Sequence, residues 1–266
     1  MNSEELALKI RKHAIEMTHA SHASHIGAIL SVTDIVAVLY SDILNTDVLN
    51  PKAENRDRLI LSKGHAGVAI YSALAEMGFF NKEILDSYYQ DGSNLSGHVS
   101  HRGVAGVEVS TGSLGHGLGM AVGMALAAKL DNKKHHIYVI TGDGECEEGS
   151  VWEAALFAAH NKLENLTVIV DHNKMQALGR CDEQTGFTEL AKKWEAFNFK
   201  VFECDGHDHE QLKKALKRRE KEIPVCIIAH TTKGKGVSFM ENNLLWHYRD
   251  PQGEYYENAM KELGEE

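Results

Sequence analysis

At 266 residues the chain is long enough to bury a sizeable core in one domain. A hydrophobic share of 43% and a charged share of 25% are ordinary for a globular protein, and no apolar run is read as approaching the roughly 18 residues of a membrane span. Lys and Arg total 28 against 38 Asp and Glu, giving a net charge of −10 that repels nucleic acid and anionic lipid, so neither is an expected partner.

The N-terminus, Met-Asn-Ser-Glu-Glu, lacks the basic-then-apolar layout of a secretory signal, and the expected compartment is the cytoplasm. Cys146, Cys181, Cys204 and Cys226 lie far apart with no Cys-x-x-Cys pair, and they read as reduced thiols rather than a disulfide or zinc framework. There is no internal repeat, and Pro51, Pro224 and Pro251 are too scattered to mark a boundary, so residues 1–266 read as one domain.

From Glu4 to about Thr18, Leu6, Ile10, Ala14 and Met17 recur at helical spacing, with Ser3 as the expected cap. Farther on, β-branched runs over 137–141, 166–171, 200–203 and 225–229 predict strands. Helical patterns over 152–161, 187–196 and 210–222 fall between them. A last amphipathic segment runs from Glu254 to Leu263. Strand and helix in alternation predict an α/β fold, a three-layer α/β/α arrangement around a mainly parallel sheet. Ligands in such sheets collect beyond the carboxyl ends of the strands, which directs attention to the loops after Thr141, Asp171 and Ala229.

The first of those loops is Gly142-Asp143-Gly144-Glu145, and the second strand ends at Asp171-His172-Asn173. The intervening chain has room for one helix and one strand, so two neighbouring parallel strands would deliver Asp143 and Asn173 to the same end of the sheet. A carboxylate and an amide oxygen are hard donors suited to Mg²⁺ or Ca²⁺, and a diphosphate can complete the coordination. Glycines on both sides let the backbone approach phosphate, with the positive end of the following helix expected nearby. Gly-Asp-Gly followed at this distance by Asn resembles the thiamine-diphosphate signature.

Several further motifs resemble the transketolase family, in the family's order. Ser24-His25-Ile26-Gly27 is similar to its Gly-His-Pro-Gly, and Arg56-Asp57-Arg58 leads to Leu61-Ser62-Lys63-Gly64-His65. Ser96-Gly97-His98 and Thr111-Gly112-Ser113-Leu114-Gly115-His116-Gly117 follow, then Asp205-Gly206-His207-Asp208, Lys233-Gly234-Lys235-Gly236 and Trp246-His247. The resemblance implies the thiamine-diphosphate pyrophosphate-domain fold. It assigns the metal, Mg²⁺ or Ca²⁺, to Asp143, Asn173 and the carbonyl of Met175. His65, His247 and the backbone of Gly144 would contact the diphosphate, with Gly112 and Leu114 shaping the aminopyrimidine pocket. His25, His98 and His247 would surround the reacting carbon, where imidazoles titrating near neutrality can donate, stabilise alkoxide and carry a proton. Glu148 and Glu153, at the start of the helix after Gly-Asp-Gly, would belong to an acidic network at a subunit interface.

That resemblance covers only the family's diphosphate-binding half. The glutamate and aromatic residues that serve the aminopyrimidine ring come from a second domain in the family, so the chain resembles the N-terminal subunit of a split transketolase. The implied partner is a separate C-terminal subunit carrying the pyrimidine domain, in an α2β2 assembly, acting on sugars or sugar phosphates by two-carbon ketol transfer. Ser24, Ile26, Lys174 and Tyr248-Arg249 depart from the family pattern. The alternatives are the alpha subunit of a thiamine-dependent 2-oxo-acid dehydrogenase and a non-catalytic thiamine-diphosphate-binding half-subunit. His25, His65, His98 and His247 argue against the first. A zinc set at His19-x-x-His22-x-x-His25 is disfavoured because no Cys or carboxylate completes it and Ser24 to Gly27 reads as a loop.

Overall fold

The computed structural model describes residues 1–264. In chain order the regular elements are α1 (Ser3–Ser21), α2 (Ile26–Val38), β1 (Arg58–Leu61), α3 (Gly67–Glu76), α4 (His116–Leu130), β2 (Ile137–Gly142) and α5 (Gly149–His160). Then come β3 (Leu166–His172), α6 (Cys181–Thr185), α7 (Leu190–Ala196), β4 (Lys200–Asp205), α8 (His209–Leu216), β5 (Val225–His230) and α9 (Glu254–Glu262). The sheet is parallel throughout, in the order β1-β2-β3-β5-β4.

Successive side chains of a strand point to opposite faces, and here both faces are covered. Leu59, Leu61, Tyr138, Ile140, Ile169 and Ile227 pack toward α1, α2, α3, α8 and α9. Ile60, Val139, Val168, Val170 and Ile228 pack toward α4, α5 and α7. The three-layer α/β/α architecture follows directly. Burial on both faces also explains why the inner strands read as apolar runs rather than alternating ones.

Each expected strand is present and runs one or two residues longer. The helices differ more at their ends. Asn2, not Ser3, caps α1: its side chain accepts from the Glu5 N–H while the Glu5 carboxylate accepts from the Asn2 N–H. Ser3 is instead buried and hydrogen-bonded to His209 Nδ1 at 2.8 Å. The helix expected over 187–196 starts at Leu190, after Glu189 in the left-handed region. That expected over 210–222 stops at Leu216, and the chain then closes a tight turn, with Glu220 bridged to Ile223 and Glu222 at φ 60°.

Elements α2, α3, α4, α6 and β1 were not predicted from the sequence. Every residue of α2 is buried, so its apolar positions show no amphipathic period. The apolar stretch Ile26–Ile43 is in fact 18 residues long, which corrects the expectation that no run approaches that length; 83% of it is buried inside the fold. The loop expected over Ser24 to Gly27 is shorter than read, since α2 begins at Ile26. His22 closes α1 and His25 opens α2, both at positive φ, so the histidines at 19, 22 and 25 share no helix face. His19 Nδ1 meets the Pro251 carbonyl at 2.9 Å, His22 Nδ1 meets Asp250 at 2.8 Å, and His25 turns into the cavity described below.

One buried carboxylate fastens the helical layer to the strand ends. Asp34 of α2, 4% exposed, receives both Arg11 terminal nitrogens at 3.0 and 2.6 Å, His207 Nδ1 at 2.7 Å and His209 Nε2 at 3.1 Å. Burial alone would raise its pKa, but the His207, His209 and Arg11 contacts prevail and hold it well below the usual carboxylate range. Replacing Asp34 with Ala leaves the Arg11 guanidinium buried without its partner. Urea unfolding should show D34A less stable by about 3–5 kcal/mol, the usual cost of breaking a buried pair.

Candidate active site

The register of β2 against β3 sets Gly142 beside Asp171, so the residues that follow, Asp143 and Asn173, emerge at the same edge. Both are nearly inaccessible, at 3% and 6%. Asp143 accepts from the Gly144 N–H at 2.8 Å and from the Lys174 N–H. Asn173 donates through Nδ2 to Ser31 Oγ at 3.1 Å and accepts at Oδ1 from the Met175 N–H at 3.0 Å. Each side-chain oxygen accepts a single backbone N–H and so retains a lone pair. Lys174, directly after Asn173, has φ 66°, a left-handed conformation that favours glycine, where the family resemblance places Gly.

These residues line a cavity of ≈ 280 Å³ that also gathers His25, His65, His98, His247, Lys63, Lys233, Gly112, Leu114, Gly144, Glu145 and Met175. Every residue that the resemblance assigned to the metal, the cofactor or the reacting carbon lines this cavity, whereas the interface candidates Glu148 and Glu153 lie elsewhere. The expected helix N-terminus is not adjacent, because a 3₁₀ turn over Gly144–Glu147 intervenes and α5 starts at Gly149. Glu148, the N-cap of α5, and Glu153 within it are exposed, and Leu156 and Phe157 of the same helix are exposed too.

His25 stands at the centre of the imidazoles, with ring centroids 5.0 Å from His65, 5.1 Å from His247 and 5.8 Å from His98. Four separate stretches of chain supply them. The Gly64 loop and the Thr111 loop touch so closely that a Cβ on Gly64 would lie 2.3 Å from the Thr111 carbonyl oxygen, so no larger residue fits there.

Three buried groups in this cavity were missed from sequence. Glu145, 2% exposed, accepts from Ser62 Oγ and from the Gly115 and Gly142 N–H groups at 2.8 and 3.0 Å. Burial pushes its pKa up, and these bonds oppose that shift. Lys63 and Lys233 are each 2% exposed. Lys63 pairs with Asp171, which is fully buried and also receives Ser31 Oγ at 2.7 Å and Thr231 Oγ1. Lys233 donates to the Met175 and Gln176 carbonyls at 3.4 and 3.3 Å and to His247 Nδ1 at 3.0 Å, and burial with Lys63 nearby lowers its pKa to about 8. Both lysines stood in quoted motifs, but their burial depends on α2 and on the loop after Asn173, which no local pattern announces.

Residues 2–260 match the family described as "Transketolase, thiamine diphosphate binding domain". The chain belongs to the transketolase family. It is 41% identical over 259 residues to a subunit of the apulose-4-phosphate transketolase of Phocaeicola vulgatus, covering 97% of this chain and 92% of that one. It is 40% identical over 259 residues to the 6-deoxy-6-sulfo-D-fructose transketolase subunit SqwG of a Clostridium species, covering 97% and 94%. Among solved structures, transketolase from Leishmania mexicana superposes with a TM-score of 0.92 at 31% identity, over 100% of this chain and 42% of that one. Transketolase from Campylobacter jejuni gives 0.92 at 33% identity, over 99% and 43%. The chain therefore spans less than half the length of those transketolases. These relatives do not favour the 2-oxo-acid dehydrogenase alternative.

The transketolase cavity fits a thiamine diphosphate on chemical grounds. Two buried ammonium groups at its wall favour an anion, and Asp143 and Asn173 offer hard oxygen donors to a divalent cation. The expectation that its imidazoles titrate near neutrality is corrected for the three with resolved shifts. Burial, then His98 and the two lysines, lowers His25 to about 4; burial, then Lys233, His25 and Lys63, lowers His247 to about 3. Burial, then Lys63, holds His65 well below its ordinary value. At these three histidines the folded state binds fewer protons than the unfolded chain below about pH 6.5, and their contribution to stability falls as pH drops from there toward 4. Thermal melts of the cofactor-free chain at pH 7.5, 6 and 5, buffer values set as roughly bracketing the imidazole range, should show a declining midpoint. A His25→Asn, His247→Asn double variant should show a smaller decline.

Proposed function

We propose that this chain is the diphosphate-anchoring subunit of a split transketolase, completed by a separate C-terminal subunit that carries the pyrimidine domain, in an α2β2 assembly. One observation carries the reading: four histidines and two buried lysines share one cavity with Asp143 and Asn173. Thiamine diphosphate, when bound, supplies the carbanion sink. Asp143, Asn173 and the Met175 carbonyl would hold Mg²⁺ or Ca²⁺, while His65, His247 and the Gly144 backbone would contact the diphosphate and the buried Lys63 and Lys233 would lend positive charge to the cavity wall. Gly112 and Leu114 bound the wall assigned to the aminopyrimidine. His25 and His98, with His247, would orient the ketose hydroxyls and exchange protons with them.

Glu148 and Glu153 are exposed at the cap and in the first turns of the helix that also exposes Leu156 and Phe157, which suits a surface covered in an assembly. The two relatives at about 40% identity are named for a phosphorylated and a sulfonated ketose. The donor proposed for this chain is accordingly a ketose or ketose phosphate, and both chemical types belong in a substrate panel.

The decisive experiment mixes the purified chain with a candidate partner bearing the pyrimidine domain and measures mass and ketol transfer together. The chain alone should be inactive, and the mixture active as an α2β2 species. Turnover by the pure chain would refute the split-subunit reading.

Two sets of variants assign the roles. D143A should lose Mg²⁺-dependent thiamine diphosphate binding in calorimetry while keeping its fold. In the active complex H25A and H98A should bind cofactor yet lower kcat by roughly 10²–10⁴-fold, the usual weight of a general acid–base group. Loss of cofactor affinity instead would move these two histidines to a binding role.

A further inference from the structure

Four imidazoles in one cavity cannot be interchangeable, and the contacts of Lys233 separate one of them from the rest. The Lys233 ammonium is sealed at 2% exposure. Three acceptors surround it: the Met175 and Gln176 carbonyl oxygens at 3.4 and 3.3 Å and His247 Nδ1 at 3.0 Å. A lysine ammonium has three N–H donors and no lone pair, so the three neighbours match its capacity. A neutral amine would turn its own lone pair toward one of these acceptors. A carbonyl oxygen has two lone pairs, so Met175 can serve Lys233 and a metal together.

An imidazole nitrogen that accepts from an ammonium must itself be unprotonated. In a neutral ring the proton then resides on the other nitrogen. We propose that Lys233 is a positioning residue that fixes the His247 proton on Nε2, making this imidazole a hydrogen-bond donor in the cavity and excluding it as the resting base. The proposal rests on the function given above for the significance of that donor, but not for its existence.

The local fold holds both partners in place. The His25 N–H donates to the His247 carbonyl at 2.8 Å, which fixes the His247 backbone. Gly234, directly after Lys233, has φ 84° and donates its N–H to the Gly27 carbonyl at 2.9 Å. A side chain at Gly234 would put Cβ 2.2 Å from the Met240 carbonyl oxygen, so the turn that aims Lys233 depends on glycine. His25 contrasts with this. Its Nδ1 lies 3.0 Å from Ser24 Oγ, a hydroxyl that can donate or accept, so either tautomer of His25 is served. His247 is thereby committed to donating, toward an anionic or alkoxide oxygen, while the Ser24 contact leaves the tautomer of the neutral His25 ring unfixed.

The test reads the proton itself. The full chain is labelled with ¹⁵N-histidine, His247 is assigned by its loss in H247N, and long-range ¹⁵N–¹H correlation spectra report the tautomer at neutral pH. The wild-type ring should be in the Nε2–H form. In K233M the fixed Nε2–H population should be lost to a mixture, and kcat of the complex with its partner should fall roughly 10²-fold. An Nδ1–H ring in the wild type would overturn the assignment, a result available even if K233M does not fold. An unchanged tautomer or an unchanged kcat in folded K233M would overturn it too. Absence of ketol transfer in the wild-type complex would count against the split-transketolase reading alone, because the tautomer is measured on this chain by itself.

Discussion

A single buried carboxylate organises the functional edge of this protein. Asp171 lies near the carboxyl end of β3, fully enclosed, and accepts from groups on several segments: Lys63 after β1, Ser31 on α2 and Thr231 after β5. Asn173, two residues on, adds its Nδ2 at 3.4 Å. An isolated carboxylate in such a place would be intolerable, since burial strongly disfavours its charge. Lys63 and the two hydroxyls reverse that penalty, and its pKa lies below its ordinary value despite complete burial. The network draws the loops after β1, β3 and β5 against α2, and it leaves the Asn173 amide oriented with Oδ1 toward the Met175 turn.

That arrangement sets the electrostatics of the cavity. Lys63 is neutralised by Asp171, whereas Lys233 faces carbonyl oxygens and an imidazole. The result is a pocket in which His25, His65 and His247 are held neutral by burial and by nearby positive charge. An anionic ligand would complement those cations, and a divalent cation would complement Asp143. In the proposed role, the same charges that destabilise imidazolium become the anchor for a diphosphate. Binding and fold are coupled there, because the lysines that favour the anion also join the chain segments around it.

Sequence reading recovered the α/β class and the four longer strands because β-branched apolar runs between turn residues are a local property of the chain. It missed β1, only four residues long, and α2, α3 and α4, whose burial or Gly- and Ala-rich composition erases the helical period. The histidine set was legible through motif order, since each imidazole sits in a short distinctive string. Glu145, Lys63 and Lys233 were not, even though they adjoin or belong to the same strings. A buried charge is recognised only when its partners are known, and those partners come from distant segments: Gly115 for Glu145, Asp171 for Lys63 and the Met175 turn for Lys233.

By itself, then, the sequence determined the layered α/β plan, the pairing of Asp143 with Asn173 at one sheet edge, and the transketolase character carried by its ordered motifs. These are consequences of local periodicity and of strand-to-strand connection, which propagate along the chain. Tertiary structure alone decided which charges are buried and which neighbours set each imidazole's protonation. Proton positions and pKa shifts depend on distances of a few ångströms between groups remote in sequence, and only the folded packing fixes those distances.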